Sequence, residues 1–116
     1  MNLPDLRTYR LHRTLPEADF EGVPVPGLHA EFYRRPVGDR IASVGRYSYN
    51  GRRLLLAWGY VGEEHCRYSA VRDPRRGWQP ATQGCPDVRV VRDGEAVTGF
   101  AVRDARGRWL SPQTVS

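Results

Sequence analysis

Ile41-Ala42-Ser43-Val44-Gly45-Arg46-Tyr47-Ser48-Tyr49-Asn50-Gly51-Arg52-Arg53-Leu54-Leu55-Leu56-Ala57-Trp58-Gly59-Tyr60 is the stretch that decides the fold. Asn50-Gly51 is its pivot, because these two residues tolerate the positive φ values of a two-residue type I′ hairpin turn. Such a turn sets a register in which Tyr49 faces Arg52, Tyr47 faces Leu54 and Gly45 faces Leu56. Period-two alternation then predicts Tyr47, Leu54, Leu56, Trp58 and Tyr60 on one face, the first candidate for a core. The other face carries Arg46, Ser48 and Arg53 near the tip, and Leu55, Ala57 and Val61 farther down. A wet tip and a covered base are expected.

Upstream of this hairpin, Leu28 to Arg34 reads as a strand ended by Pro36 and Gly38. Thr14-Leu15-Pro16-Glu17-Ala18-Asp19-Phe20-Glu21 predicts a helix of one or two turns, with Thr14 as cap, Glu17 at the capping-box position and Gly22 as stop. Val23-Pro24-Val25-Pro26-Gly27 then lacks two backbone donors and predicts an extended arm followed by a turn.

Downstream, Gly62-Glu63-Glu64 suggests a turn before a strand from His65 to Arg72, in which Cys66, Tyr68 and Ala70 alternate with the rest. Asp73-Pro74-Arg75-Arg76-Gly77 ends it, and Trp78 opens a brief extended piece halted by Pro80. Another hairpin follows from Val88-Arg89-Val90-Val91-Arg92, the turn Asp93-Gly94, and Glu95 through Arg103, with Gly99 marking a bulge or a close backbone crossing. The expected fold is therefore mainly β: a small antiparallel barrel or compact sandwich of about six to eight short strands, with at most one short N-terminal helix. It forms a single β-rich domain over 1–116, with residues 1–27 as an arm and short helix preceding the sheet.

One internal similarity stands out. Ala70-Val71-Arg72-Asp73-Pro74-Arg75-Arg76-Gly77-Trp78 resembles Ala101-Val102-Arg103-Asp104-Ala105-Arg106-Gly107-Arg108-Trp109, offset by 31 residues. Each reads as strand end, tight basic turn and returning aromatic strand, which predicts a repeated hairpin geometry. Two copies are too few for a solenoid.

Composition bounds the rest. With 40% hydrophobic and 27% charged residues, the 116-residue chain has the makeup of a globular domain rather than a disordered one. The apolar run Leu54 to Val61 falls far short of the roughly 18 residues of a membrane helix, so no membrane partner is expected. The N-terminal residues lack the basic and apolar segments of a secretory leader, which makes the cytoplasm the expected location. All 18 basic residues are arginine, against 13 acids, for a net charge of +5. Arginine supplies planar forks suited to phosphates, carboxylates and ring faces, and no amine for Schiff-base chemistry. The two halves of the chain hold nine arginines each, so the surplus is spread along the sequence.

Catalytic and metal patterns are sparse. His12, His29 and His65 stand with Cys66 and Cys85, in no metal-ligand spacing, and His65 and Cys66 would point to opposite sides of a strand. A Cys66–histidine nucleophile is the one enzymatic alternative, and Cys85 in Gln83-Gly84-Cys85-Pro86 is the more accessible thiol. Asp73, Asp93 and Asp104 each follow an arginine at a strand end, as turn residues do. Glu31, between Ala30 and Phe32, is the one carboxylate that strand alternation could turn inward. Neither a phosphate loop nor a dinucleotide fingerprint is present. No cofactor, metal or catalytic residue is expected.

What remains is arginine interleaved with aromatics. Arg34, Arg35, Arg46, Arg53, Arg75, Arg76, Trp78, Arg106 and Arg108 are the candidate contacts to nucleic-acid phosphates and bases or to a protein partner. The expected role is that of a non-enzymatic accessory binding protein acting on nucleic acid. The alternative is a protein-interaction module or small inhibitor of a macromolecular complex, since arginine and tyrosine serve protein interfaces equally well.

Overall fold

The computed structural model describes residues 3–20, 23–63, 67–73, 75–80 and 88–110. A single turn of 3-10 helix (Leu6–Thr8), capped by the Asp5 carboxylate, precedes the strands. These are β1 (Arg10–Leu15), β2 (Asp19–Phe20), β3 (Val23–Pro24), β4 (Leu28–Val37), β5 (Arg40–Tyr49), β6 (Arg52–Tyr60), β7 (Tyr68–Asp73), β8 (Gly77–Pro80), β9 (Val88–Asp93), β10 (Ala96–Arg103) and β11 (Trp109–Leu110). They form a six-stranded antiparallel sheet in the order β1-β4-β5-β6-β7-β8, a three-stranded sheet β11-β10-β9, and the β2-β3 ladder. The large sheet has two edges, β1 and β8, which are not paired with each other, so of the two expected arrangements, barrel or sandwich, closure into a barrel does not occur. Among the described residues there are eleven strands against the six to eight expected, eight of them with four residues or more and β2, β3 and β11 with two each.

Asn50 (φ 50°) and Gly51 (φ 80°) both adopt positive φ, and Tyr49 faces Arg52, as the turn requires. The expected register also holds for Ser48 opposite Arg53 and fails beyond that pair. A bulge after Tyr47/Ser48 leaves Leu54 out of the ladder, so Tyr47 faces Leu55 rather than Leu54, and Gly45 faces Ala57 rather than Leu56. The one-residue slip moves Leu56, Trp58 and Tyr60 to the face opposite Tyr47. Cross-strand rungs make the two faces plain. Ala30, Tyr47, Leu55 and Val71 form one rung, and Glu31, Arg46, Leu56 and Ala70 form the next, on the other side.

The first of these faces holds the core. Leu28, Ala30, Tyr49, Leu54, Leu55 and Val71 are buried together with Val102 of β10, while Val88, Val90, Val97 and Leu110 of the second sheet pack against them. Gly45 sits where an added Cβ would crowd the Phe32 and Tyr47 rings at 3.3 and 3.2 Å, and those rings meet edge to face 6.0 Å apart. On the outer face Ala42, Val44, Leu56 and Ala70 are also buried. There the large neighbours do the covering: Tyr33 and Trp58 flank Val44 across the strands, and Tyr60 faces Ala42. Arginine stems join them, Arg46 over Tyr33 at 5.4 Å and Arg40 over Tyr60 at 4.3 Å.

The expected helix over Thr14–Glu21 is absent. Thr14 and Leu15 end β1 instead, pairing with Glu31 and Ala30, so the large sheet begins at Arg10 rather than after residue 27. A helix of one or two turns gains few hydrogen bonds for its nucleus, whereas the β4 edge offers a ready ladder. Residues 16–20 and 23–27 hold to the start of β4 through Ala18 N–H to Leu28 O (2.7 Å) and Val25 N–H to Ala18 O (3.1 Å), inserting Ala18 and Val25 into the core. The turn expected at Pro26-Gly27 is present, and Gly27 O accepts from Asn50 N–H at 2.9 Å. In the second sheet the bulge falls at Val97/Gly99, as Gly99 suggested. The reversal there is Gly94-Glu95, one residue later than expected.

Candidate functional site: two paired arginine turns

The repeated segments both fold as hairpins whose reversal an aspartate caps, with different turn geometry in the two. In β7–β8, Asp73 Oδ1 accepts from the Arg75 amide (2.8 Å) and the Arg76 amide (3.3 Å), and Arg72 faces Trp78 across the strands. In β10–β11, Asp104 Oδ1 accepts from the Arg106 and Arg108 amides, both at 2.9 Å, and Arg103 faces Trp109. In each, a short side chain caps the reversal from its first residue, which is why aspartate stands at both strand ends. Gly77 (φ 79°) and Gly107 (φ 83°) supply the left-handed backbone each turn needs.

The two turns also touch. The Ala105 amide donates to Pro80 O at 3.2 Å, and Arg108 reaches from its own turn into the other. Its Nε donates to Asp104 Oδ2 at 2.7 Å. Its Nη2 lies 2.7 Å from the same carboxylate and 3.7 Å from Asp73 Oδ2, charge contacts without hydrogen-bond alignment. One guanidinium is thus shared by two buried carboxylates. Burial alone would raise Asp104, but hydrogen bonds from the Arg108 amide and guanidinium and the Arg106 amide outweigh it and hold the carboxyl below its ordinary range. Asp73 is lowered chiefly by the Arg75 amide, with Arg76 and the charge of Arg108 adding to it.

These two turns and the strand ends that lead into them carry six arginines, Arg72, Arg75, Arg76, Arg103, Arg106 and Arg108, against two aspartates. Arg75, Arg76 and Arg106 are exposed and form no ion pair with another described residue. Trp78 is half-buried with Arg72 5.9 Å over its ring, and Trp109, 38% exposed, has Arg89 4.5 Å over its own. The turns lie at the β5–β6 tip end of the large sheet, since the β6–β7 ladder closes with Leu55 opposite Val71 and both Arg53 and Asp73 follow at that end.

Of the nine residues nominated from sequence, Arg75, Arg76 and Trp78 belong to the first hairpin and Arg106 and Arg108 to the second. Arg46 and Arg53 line a groove on the outer face nearby. Arg46 is committed there, donating from Nε (3.0 Å) and Nη2 (2.7 Å) to Glu31 Oε1 and from Nη2 to the Tyr33 hydroxyl (2.9 Å). Burial pushes the Tyr33 hydroxyl up in pKa, with Glu31 adding and Arg46 opposing. Arg34 and Arg35 stand apart toward the other end of β4. Arg35 donates to Thr8 Oγ1 at 2.9 Å and covers the Tyr9 ring at 4.9 Å, a local structural role.

Sequence reasoning omitted Arg72, Arg103 and Trp109 from the candidate list, although the repeat that places them was in view. His65, Cys66 and Cys85, the basis of the enzymatic alternative, lie outside the described residues. Among the described residues no three His, Cys, Asp or Glu side chains gather as a metal site would need, and no helix is long and apolar enough to cross a membrane. No protein-family model, curated protein or solved structure matches this chain.

Proposed function

We propose that this chain is a non-enzymatic accessory protein that binds single-stranded nucleic acid through its paired arginine turns. The observation that carries the reading is the contact of Arg108 with Asp73 across two segments 31 residues apart in sequence, which ties the two arginine-bearing turns to each other. Arg75, Arg76 and Arg106 have guanidinium groups available for phosphate oxygens. Trp78, opposite Arg72, and Trp109, opposite Arg103, follow the two turns and offer ring faces on which bases can stack. The carboxylates of Asp73 and Asp104 are occupied by the turns' own amides, so they brace the arginines and leave the cluster basic.

Anisotropy titrations with labelled single-stranded DNA, single-stranded RNA and duplex DNA over a range of salt test this. Binding to single strands should weaken steeply with salt. A triple Arg75→Gln, Arg76→Gln, Arg106→Gln variant should flatten the logarithmic salt slope by about 2, at roughly 0.7 per lost phosphate contact. Undetectable binding at low ionic strength, or binding indifferent to salt, rejects the proposal.

A second reading, a protein-interaction module, draws on the opposite end of the sheet. There Ile41 (42%) and Val61 (43%) are exposed and joined through the Val61 amide to Ile41 O at 2.8 Å, and Ile41 faces Pro36. An Ile41→Glu, Val61→Glu variant that loses a partner co-purified from native cells, while keeping nucleic-acid binding, would favour it.

A further inference from the structure

The outer face of the large sheet carries a second polar recess, distinct from the turns. It is an open groove of about 350 Å³ lined by Thr14, His29, Glu31, Arg46, Ser48, Gly51 and Arg53. Strand register arranges these side chains in two rungs. Thr14, Glu31 and Arg46 occupy neighbouring positions on β1, β4 and β5, and His29, Ser48 and Arg53 occupy the next rung on β4, β5 and β6.

The rungs differ in how their charge is used. In the first, Arg46 grips Glu31 with two donors, so the pair is internally neutral. In the second, a hydroxyl stands between an imidazole and a guanidinium, with no carboxylate, and Arg53 forms no ion pair with another described residue. With strands about 4.8 Å apart, three donor-bearing side chains span roughly 10 Å, within reach of one tetrahedral oxyanion for chains as long as arginine and histidine. The Asn50-Gly51 turn, whose register runs unbroken from Tyr49 and Arg52 to the next pair, is what sets Arg53 opposite Ser48 on this face.

We infer that the His29–Ser48–Arg53 rung binds the terminal phosphate of a phosphate monoester. A monoester offers three free oxygens to three donors, whereas a diester within a chain offers two and must pass a substituent through the recess. Arg53 takes two oxygens in its fork, Ser48 Oγ and a His29 ring N–H take the remaining positions, and Thr14 and the Glu31 carboxylate at the adjoining rung face the hydroxyls of an attached sugar. The site uses none of the turn arginines and stands or falls independently of nucleic-acid binding by them.

Backbone amide NMR titrations decide it, with four probes: inorganic phosphate, ribose 5-phosphate, and one short oligothymidylate carrying either a 5′-phosphate or a 5′-hydroxyl. The expected result is saturable shifts at His29, Ser48 and Arg53 with inorganic phosphate and, more tightly, with ribose 5-phosphate. If the 5′-phosphorylated oligonucleotide outcompetes its 5′-hydroxyl twin at these residues, the source is a nucleic-acid end; if only ribose 5-phosphate binds tightly, it is a small metabolite. Arg53→Gln should weaken phosphate binding by about tenfold or more, as expected for a lost charge-assisted contact. Arg92→Gln, with the same change in charge on the second sheet, should leave it unaltered. Ser48→Ala should weaken it less while keeping the amide spectrum native. Phosphate shifts that spread over arginines generally, or that persist undiminished in Arg53→Gln, would overturn the inference.

Discussion

Arg108 lies 3.7 Å from Asp73, a residue of the other arginine turn, while its Nε donates to Asp104 in its own at 2.7 Å. The arrangement converts two local reversals into one surface, and the local bond is the stronger: shorter, aligned and almost wholly buried on the carboxylate side. It gives the two aspartates unequal weight.

Asp104→Asn should therefore cost about 2–4 kcal/mol of stability, because a 2%-exposed carboxylate loses its charge-assisted bonds and leaves Arg108 without its partner. Urea unfolding measures this. Asp73→Asn should cost clearly less, since its contact with Arg108 is long and its amide bonds can be kept by the asparagine oxygen. Equal losses would show that the two turns do not divide the work as the distances indicate.

Acid should act through the same groups. Asp73 and Asp104 both have carboxyls held below the ordinary value of 3.8 in the folded state. Their contribution is fully present above that value, and it is lost as pH falls from 3.8 through each folded pKa, where the unfolded chain has already taken up its protons. Thermal unfolding should thus change little on this account from neutrality to about pH 5 and drop below pH 4. The wild-type advantage over Asp104→Asn should shrink over that same acid range.

The glycines at the two hairpin ends separate backbone strain from collision. Gly38 (φ 62°) faces open space, so Gly38→Ala should cost about 1 kcal/mol from the left-handed backbone alone. Gly27 (φ 86°) has the same backbone penalty, and an added Cβ would also strike Asn50 Oδ1 of the central turn. Gly27→Ala should cost at least about 1 kcal/mol more than Gly38→Ala in the same unfolding assay.

These residues also show where sequence reading reached and where it stopped. Asn50-Gly51 located the central hairpin because positive φ at two successive residues is a local demand, written in local residue types. The bulge at Leu54 is invisible to alternation: with Leu54, Leu55 and Leu56 all buried, an apolar run fits either register. That slip reversed the faces assigned to Leu56, Trp58 and Tyr60. At Thr14–Glu21 the capping pattern was outweighed by pairing with β4, a partner 16 or so residues away in sequence. The duplicated turns were legible as repeats, but their contact through Arg108 depends on how two sheets meet, which no local pattern encodes.

Leu54 supplies a direct check on the core. As a fully buried side chain in the core cluster, Leu54→Ala should cost about 2–5 kcal/mol, while exposed Leu11 on edge strand β1 should tolerate the same change with a loss near 0.5 kcal/mol. A Leu54→Ala variant as stable as the parent would place Leu54 outside the core.

The central claim, that the paired turns are the binding surface, is tested most directly by mapping amide shifts as single-stranded DNA is added at low salt. The account requires the largest changes at residues 72–78 and 103–109 together, rising along one binding curve and reversed by salt. Shifts centred on residues 36–41 and 61–63, or at one turn without the other, would contradict it.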